Sequence, residues 1–194
     1  MNRSAASAPV ADPRTRILDA ALALMGEQGS AGASMRQLAA ACDLNVATIY
    51  HYFPSKADLL RSVVEERRYD ERLGSDEPPI DGAAPARERF VDLLDWLWRG
   101  TLEEEAVWRL LVGEAIRGEE VAMTSAAAVV EALGTTLERW LRERFPELDH
   151  DPEPVARVVQ AQVFALVVEH LAVGPVTPAV ARRRAEELAA VVFP

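Results

Sequence analysis

Four side chains that can bind a phosphate group stand close together in the first third of the chain. Tyr50, His51 and Tyr52 are adjacent, and Lys56, the only lysine of the 194 residues, follows four positions later. Tyrosine hydroxyls, a histidine ring and an ammonium group all form hydrogen bonds with phosphate oxygens. Buried tyrosines can also pack together inside a helical core. The stretch therefore indicates either a phosphate-contacting surface or an aromatic core cluster.

Helix start signals surround these residues. Ser34 stands three residues before Gln37, and Ser55 three before Asp58, which is the spacing of a capping box. Asn45, between them, is a favourable N-cap residue. Two short helices joined by a turn of about three residues are typical of a helix-turn-helix. The predicted helices are 34–41, 45–52 and 55–73, with Pro54 before the last.

Helical spacing assigns the two faces of this unit. It predicts a buried contact made by Leu38, Ala39, Cys42, Leu44 and Ile49, with Phe53 also in the core. The second short helix then exposes Val46, Ala47, Tyr50 and His51. A helix with small residues near its start fits the major groove of DNA. Ser55 and Lys56 add a helix N-terminus and a positive charge, which together suit a phosphate.

Residues 17–60 resemble the TetR-like bacterial transcription regulators. The most specific part of the resemblance is the spacing of Thr48, Ile49, Tyr50, Tyr52, Phe53, Lys56, Leu59 and Leu60. The resemblance implies phosphate contacts by Ser34, Tyr50, Tyr52 and Lys56, and base or backbone contacts by Gln37, Asn45, Val46, Ala47, Thr48 and His51. We include Arg36 among the expected DNA contacts. Two positions depart from the family pattern, because Asp43 and Ala47 stand where glycine is common.

The net charge of −10 argues against a nucleic-acid partner until it is divided by region. Residues 1–68 hold eight Lys or Arg and seven Asp or Glu, which gives +1. Residues 69–194 hold thirteen and twenty-four, which gives −11. The acidity thus belongs to the second part of the chain and leaves the helix-turn-helix close to neutral.

Helical spacing continues along the chain without strand signals, which predicts an all-α fold of about nine helices. Residues 74–85, rich in Gly, Pro and Asp, form the best linker candidate. The predicted domains are an N-terminal arm and helix-turn-helix DNA-binding domain (1–54), a connecting helix and linker (55–85), and a ligand-binding and dimerisation helical domain (86–194). Further helices are expected at 13–28, 86–102, 104–117, 120–145, 153–173 and 178–192.

The helix predicted at 153–173 is apolar on more than one side, so it has two surfaces to bury. One surface would face its own core, and the other would pair with a second subunit together with the helix at 178–192. The family resemblance implies the same homodimer. A single buried helix in a monomer is the alternative. The predicted dimerisation residues are Val159, Val163, Val167, Leu188 and Val191.

All four tryptophans lie in the second part of the chain, where they either fill the core or line a cavity. The family resemblance implies a small-molecule pocket in this region. We therefore expect a small, largely apolar effector. The predicted lining residues are Phe90, Trp96, Arg99, Trp108, Glu114, Arg117, Met123, Trp140 and His170.

The main hypothesis is a DNA-binding repressor that a small effector releases from a palindromic operator. The alternatives are a helical protein-interaction module and an all-helical enzyme, although no HExxH, GxSxG or phosphate-loop motif occurs. We expect no cofactor and no metal site, since Cys42 is the only cysteine and His150 lacks a second nitrogen or sulfur ligand nearby. No uncharged apolar run reaches the length of a membrane span, and a cytoplasmic location is the simplest expectation.

Overall fold

The computed structural model describes residues 12–66 and 77–194, which hold helices and connecting turns but no strand. This agrees with the predicted all-α class. The helices are α1 (Pro13–Gly32), α2 (Met35–Ala41), α3 (Val46–Tyr52), α4 (Lys56–Glu66), α5 (Ala86–Glu103), α6 (Glu105–Ile116), α7 (Glu120–Arg144), α8 (Pro152–Ala172) and α9 (Pro178–Val192).

Most helix bounds lie within one or two residues of the prediction, and α1 is the clearest exception. Its bounds extend to Gly32, but the helical backbone is interrupted at Gly29, whose φ is 76° and ψ is 161°, directly after the predicted end at 28. A residue with a side chain rarely adopts this backbone conformation, so glycine permits the bend. Part of the predicted helix 55–73, part of the linker 74–85 and the arm before residue 12 lie outside the described residues.

The first hydrophobic core joins the helix-turn-helix to the rest of the chain. Residues of α1 to α4, among them Leu22, Leu38 and Ile49, pack with Val107 and Leu110 of α6. The DNA-binding region therefore does not bury its apolar surface alone. The domain boundaries after 54 and 85 stay a prediction, and α6 contributes to this core from beyond both of them.

Two further cores lie away from the helix-turn-helix. The second is formed by α5, α7, α8 and α9 around Phe90, Leu137 and Trp140. The third is smaller and contains Trp98 of α5 and Trp108 of α6, packed against α8. Since α6 supplies residues to the first and the third core, it connects the two parts of the protein.

The inward and outward faces of α8 differ from the prediction. Val159, Val163 and Val167 were expected in a dimer contact, but they are buried inside the protomer, where Val167 is only 2% exposed. Val158 and Val168 point outward instead, each about half exposed. Leu188 of α9 is also packed against the second core, whereas Val191 is exposed as expected. An outward apolar stripe does exist, but it is offset by one residue on α8.

By length and mean hydropathy, 1.4 over its most apolar window, α8 is the one helix of the described residues that could cross a membrane. Its inner face, however, contributes Val159, Leu166 and Val167 to the protein's own cores. Its flanks carry Arg157 and Glu169, which pair with Glu153 and Arg184. These contacts are those of a core helix in a packed bundle.

Candidate nucleic-acid interface

The helix-turn-helix is built by local capping, as its sequence predicts. The Ser34 hydroxyl accepts a hydrogen bond from the backbone N–H of Gln37, and Gln37 Oε1 accepts one from the backbone N–H of Ser34 at 2.8 Å. Asn45 Oδ1 accepts from the N–H of Thr48 at 2.7 Å and caps α3. Reciprocal caps of this kind satisfy backbone donors that a helix start leaves open, so both short helices begin at defined residues.

The turn between α2 and α3 requires a left-handed residue, and Asp43 supplies it with a φ of 51°. Aspartate tolerates this conformation better than most residues with a side chain. Below the turn, Leu38, Ala39, Cys42 and Ile49 are buried as predicted, and Leu44 is half-buried against them. The crossing angle of the two helices is therefore held by close packing at the small residues 39 and 42.

The exposed edge of α3 presents Ala47, Tyr50 and His51 to solvent, and Tyr50 is 49% exposed. Val46, which was expected on this edge, is only partly exposed and packs against the first core. Tyr52 is also half-buried, with its ring at right angles to His51 at 5.4 Å between centroids. The aromatic cluster is thus divided, since Tyr50 and His51 are accessible while Tyr52 supports the helix from beneath.

Lys56 begins α4 beside this edge. The Ser55 hydroxyl accepts from the N–H of Asp58 at 3.0 Å and donates to the Asp58 carboxylate at 2.7 Å. A capping box predicts that the Asp58 carboxylate accepts from the Ser55 backbone N–H, but it accepts from the Ser55 hydroxyl instead. This hydrogen bond, followed by the neighbouring Arg61, lowers the pKa of Asp58. Lys56 Nζ donates to the carbonyl of Ala31 at 3.3 Å, which holds the ammonium group against the end of α1.

Four of the other predicted DNA contacts, Ser34, Gln37, Asn45 and Thr48, are already engaged in capping. The Ser34 hydroxyl donates to Gln37 Oε1 at 2.7 Å, and the Thr48 hydroxyl donates to Asn45 Oδ1 at 3.0 Å. Arg36 is exposed on the first turn of α2. A hydroxyl that donates to a capping side chain must rotate before it can donate to a phosphate, so in this structure these groups position the starts of the helices.

The nine residues predicted to line one effector pocket do not lie together. Trp96 and Trp98 show why, because residues two apart on α5 point to different sides of the helix. Phe90, Trp96 and Trp140 belong to the second core, whereas Trp108 belongs to the third core and lies beside His170. Glu114 and Arg117 face the end of α1. Arg99 and Met123 are exposed. The prediction that all nine surround one cavity is therefore wrong as geometry.

A smaller group around Trp98 does have the character of a binding site. The Trp98 side chain is 1% exposed, and its indole nitrogen has no hydrogen-bond partner among the described residues. Its ring lies 5.6 Å from that of His170, and Trp108 completes the same wall. The void between them has a volume of only about 10 Å³. We call Trp98, Trp108 and His170 the tryptophan–histidine cluster.

The sequence predicted His170 but not Glu105, which forms the polar side of this cluster with it. His170 Nδ1 accepts from the backbone N–H of Val176 at 3.1 Å, so its other nitrogen, 3.6 Å from Glu105 Oε2, can carry the proton. A hydrogen bond from Arg109, which outweighs burial, and a further contribution from His170 lower the pKa of Glu105. In the sequence, Glu105 ends a run of three glutamates, a pattern typical of a solvated helix start. No local signal connects it to a histidine 65 positions later in the chain.

Comparisons with known proteins agree with this geometry. The family of bacterial regulatory proteins, tetR family, matches residues 17–63. The transcriptional repressor KstR of Mycolicibacterium smegmatis is 33% identical over 153 residues, which cover 75% of this chain and 70% of KstR. A TetR-family transcriptional regulator from Mesorhizobium loti has a similar structure, with a TM-score of 0.71 at 17% identity over 96% of this chain and 98% of that one.

A further structural neighbour is the multidrug binding protein EbrR, solved in complex with proflavin. Its TM-score is 0.57 at 24% identity, over 91% of this chain and 99% of EbrR. The two solved structures share the fold, while KstR shares a third of the aligned sequence. The family consists of transcription regulators, so the helical-enzyme and interaction-module alternatives lose their support. The chain therefore belongs to the tetR family of bacterial regulatory proteins and is a DNA-binding transcription regulator.

Proposed function

We propose that this protein is a repressor that binds a palindromic operator as a homodimer and is released by a small, largely apolar effector. The observation that carries the proposal is the exposed edge of α3, with Ala47, Tyr50 and His51, followed by Lys56 at the start of α4. This edge combines a small residue, which allows close approach to bases, with side chains that bind phosphate.

The roles of the side chains follow from what each atom can donate. The Tyr50 hydroxyl, on the exposed edge of α3, and the Lys56 ammonium group, at the start of α4, would bind phosphates. Ala47 and His51 would meet base edges. Ser34, Arg36, Gln37, Asn45 and Thr48 would bind the backbone or base edges near the starts of α2 and α3, with Val46 and Tyr52 supporting them from the partly buried side.

The proposed dimer uses the outward stripe of α8 rather than the valines that the sequence favoured. Val158 and Val168 are about half exposed, and Ala161 and Ala165 lie between them on the same face. Val191 of α9 is 72% exposed and would extend the surface. Small residues between two valines let a second copy of α8 approach closely, and the resulting two-fold symmetry matches a palindrome with half-sites about 34 Å apart.

The proposed effector site is the tryptophan–histidine cluster. An indole N–H buried without a partner is costly, and a ligand carbonyl or ether oxygen would satisfy it. The apolar walls of Trp98 and Trp108 suit a planar apolar ligand, and Glu105 with His170 offers one polar anchor. Because the void holds only about 10 Å³, α5, α6 and α8 must separate when an effector enters.

Helix α6 supports the proposed link between effector and DNA. Trp108 faces the cluster, whereas Val107, Leu110 and Leu111 on the same helix pack in the first core with the helix-turn-helix. A ligand that displaces α6 would therefore move the support of both α1 and α4. A preference of about a hundredfold for the displaced state corresponds to roughly 2.7 kcal/mol of coupling, within the ordinary range for such proteins.

The test is operator binding over a salt series, using DNA that flanks the protein's own gene. Removing one phosphate contact with Lys56→Ala should weaken binding and reduce the slope of log affinity against log salt by about 1. Arg142→Ala is the matched control, since it removes one exposed positive charge from α7. Unchanged affinity and slope for Lys56→Ala, or equal losses in both variants, would refute the proposed interface.

A further inference from the structure

Glu114 of α6 is a buried carboxylate that neither the DNA contacts nor the tryptophan–histidine cluster employs. Its residue is 2% exposed, and an unpaired charge at such a depth is costly. One of its two partners, Ser30, lies on α1, 84 positions earlier in the sequence, rather than in the predicted effector pocket. The side chain therefore connects the second part of the protein to the DNA-binding part.

Both oxygens of this carboxylate are occupied. Oε1 accepts from the backbone N–H of Ser30 at 2.8 Å and from the guanidinium of Arg117, and Oε2 accepts from the Ser30 hydroxyl. Burial acts to raise the pKa of Glu114, but the hydrogen bonds from Ser30 and Arg117 outweigh it, so the pKa is lower than usual. At neutral pH the carboxylate is ionised and holds Ser30 by two hydrogen bonds.

The backbone of α1 is shaped to bring Ser30 into this position. Gly29 has a φ of 76°, which turns the following residues towards α6. A Cβ at Gly29 would lie 2.9 Å from Arg117 Nη2, and one at Gly113 would lie 3.2 Å from the same atom. Two glycines on different helices thus leave the space that the Glu114–Arg117 pair occupies.

The residue that follows Ser30 is the one that holds Lys56. The carbonyl oxygen of Ala31 accepts from Lys56 Nζ at 3.3 Å. An ammonium group has three donors, so Lys56 can bind this carbonyl and a phosphate at the same time. A chain of contacts therefore runs from Glu114 through Ser30 and the adjoining peptide to the proposed phosphate-binding amine.

We propose that Glu114 is a positioning residue for DNA binding, which fixes the Ala31 carbonyl and through it the ammonium group of Lys56. The inference rests on the proposed phosphate contact of Lys56. Because the contact with Ala31 already restricts the lysine side chain, binding a phosphate costs less side-chain conformational entropy. Displacement of α6 withdraws Glu114 from Ser30, and Lys56 then loses its orientation.

A double-mutant cycle between Glu114 and Lys56 tests the inference, with operator affinity as the readout. Glu114→Ala should lower the affinity by about tenfold in the wild-type background, a coupling within the usual allosteric range. In the Lys56→Ala background the same change should cost less than about twofold, because the group that Glu114 positions is absent. Glu114→Gln, which keeps an acceptor for the Ser30 N–H, should lose less than Glu114→Ala.

Glu147→Gln is the matched control. Like Glu114, Glu147 accepts a hydrogen bond from an arginine, in this case the buried Arg89 at 2.7 Å, but it lies beside the second core. It should leave operator affinity unchanged in both backgrounds. If Glu114→Ala does not fold, Ser30→Ala removes the hydroxyl from the other side of the contact and should show the same dependence on Lys56.

The outcomes separate this inference from the proposed function. Equal losses from Glu114→Ala with and without Lys56, or a comparable loss in Glu147→Gln, would overturn the positioning role while the phosphate contact stands. A Lys56→Ala protein with unchanged affinity and salt slope would overturn the phosphate contact, and the positioning role with it.

Discussion

Replacing Gly29 by alanine tests the geometry of the junction between α1 and α6 directly. Gly29 has a φ of 76° and a ψ of 161°, a combination that glycine occupies almost alone. A side chain at this position would also be crowded, since its Cβ would lie 2.9 Å from Arg117 Nη2 and 3.3 Å from Glu114 Oε1. Gly29→Ala therefore combines backbone strain with displacement of a buried contact.

The magnitude follows from these two terms. Backbone strain of this kind costs about 1–3 kcal/mol. Arg117 is about half exposed, so moving its guanidinium away loses no more than about 1 kcal/mol of ion-pair energy. We expect Gly29→Ala to lower the free energy of unfolding by about 3 kcal/mol. For a protein of this size the midpoint of thermal unfolding should fall by roughly 6–12 °C.

Two other glycines supply the controls, with stability measured by thermal and urea unfolding. Gly118 also has a positive φ, 79°, but a Cβ there meets nothing within 4 Å, so Gly118→Ala should cost only about 1–2 kcal/mol. Gly100 lies inside α5 with equally open surroundings, and Gly100→Ala should stabilise by up to about 1 kcal/mol. A Gly29→Ala protein no less stable than Gly118→Ala would refute the crowding at the junction.

Four further predictions concern separate parts of the molecule. Val168→Glu introduces a charge into the proposed seam and should convert a dimer into a monomer in light scattering; a variant that stays dimeric would exclude this face. Trp98→Phe removes the buried indole N–H and should weaken effector binding about three- to tenfold, measured by fluorescence titration with a planar apolar ligand, whereas Trp140→Phe in the second core should not. Asp43→Gly relieves the φ of 51° and removes an acid near DNA, so both thermal stability, by up to about 1 kcal/mol, and operator affinity should rise. Because the pKa of Glu114 is lowered on folding, its contribution to stability is present above about pH 4.5 and is lost as the pH falls through the lowered value, so urea unfolding of the wild type should show a steeper acid loss than Glu114→Gln.

The helix-turn-helix could be predicted because its determinants are local. The caps at Ser34 and Asn45 act over three residues, and the spacing of Leu38, Cys42 and Ile49 defines one buried face. A capping bond forms between neighbours whatever the rest of the chain does. The positions of α2 and α3 and their buried contact can therefore be predicted from the sequence.

The second part of the chain was less predictable because its helices are apolar on more than one side. Val167 and Val168 are neighbours of identical chemistry, yet one is buried in the protomer and the other is half exposed. Periodicity shows that such a helix is buried on two faces but not which face meets which partner. The same limit applies to Trp96 and Trp98, which separate into different cores.

Contacts between distant residues leave no sequence signal at all. Glu114 was assigned to an effector pocket together with the aromatic residues of the second part of the chain, but its partner Ser30 is 84 positions away. Nothing in the pattern around Ser30 identifies a serine that donates to a buried carboxylate. The junction between α1 and α6 becomes visible only when the two helices are placed side by side.

If an effector binds at the tryptophan–histidine cluster, as proposed, the small void there sets the time course of the response. Its volume of about 10 Å³ is room for about one water molecule, so the site admits a ligand only during excursions in which α5, α6 and α8 separate. The apparent dissociation constant is then larger than the intrinsic one by the inverse of the fraction of time spent open. Binding at high effector concentration becomes limited by the opening rate, so the observed association rate levels off instead of rising in proportion to concentration. A cell that holds such a regulator would respond to a sustained supply of effector but not to pulses shorter than the opening time.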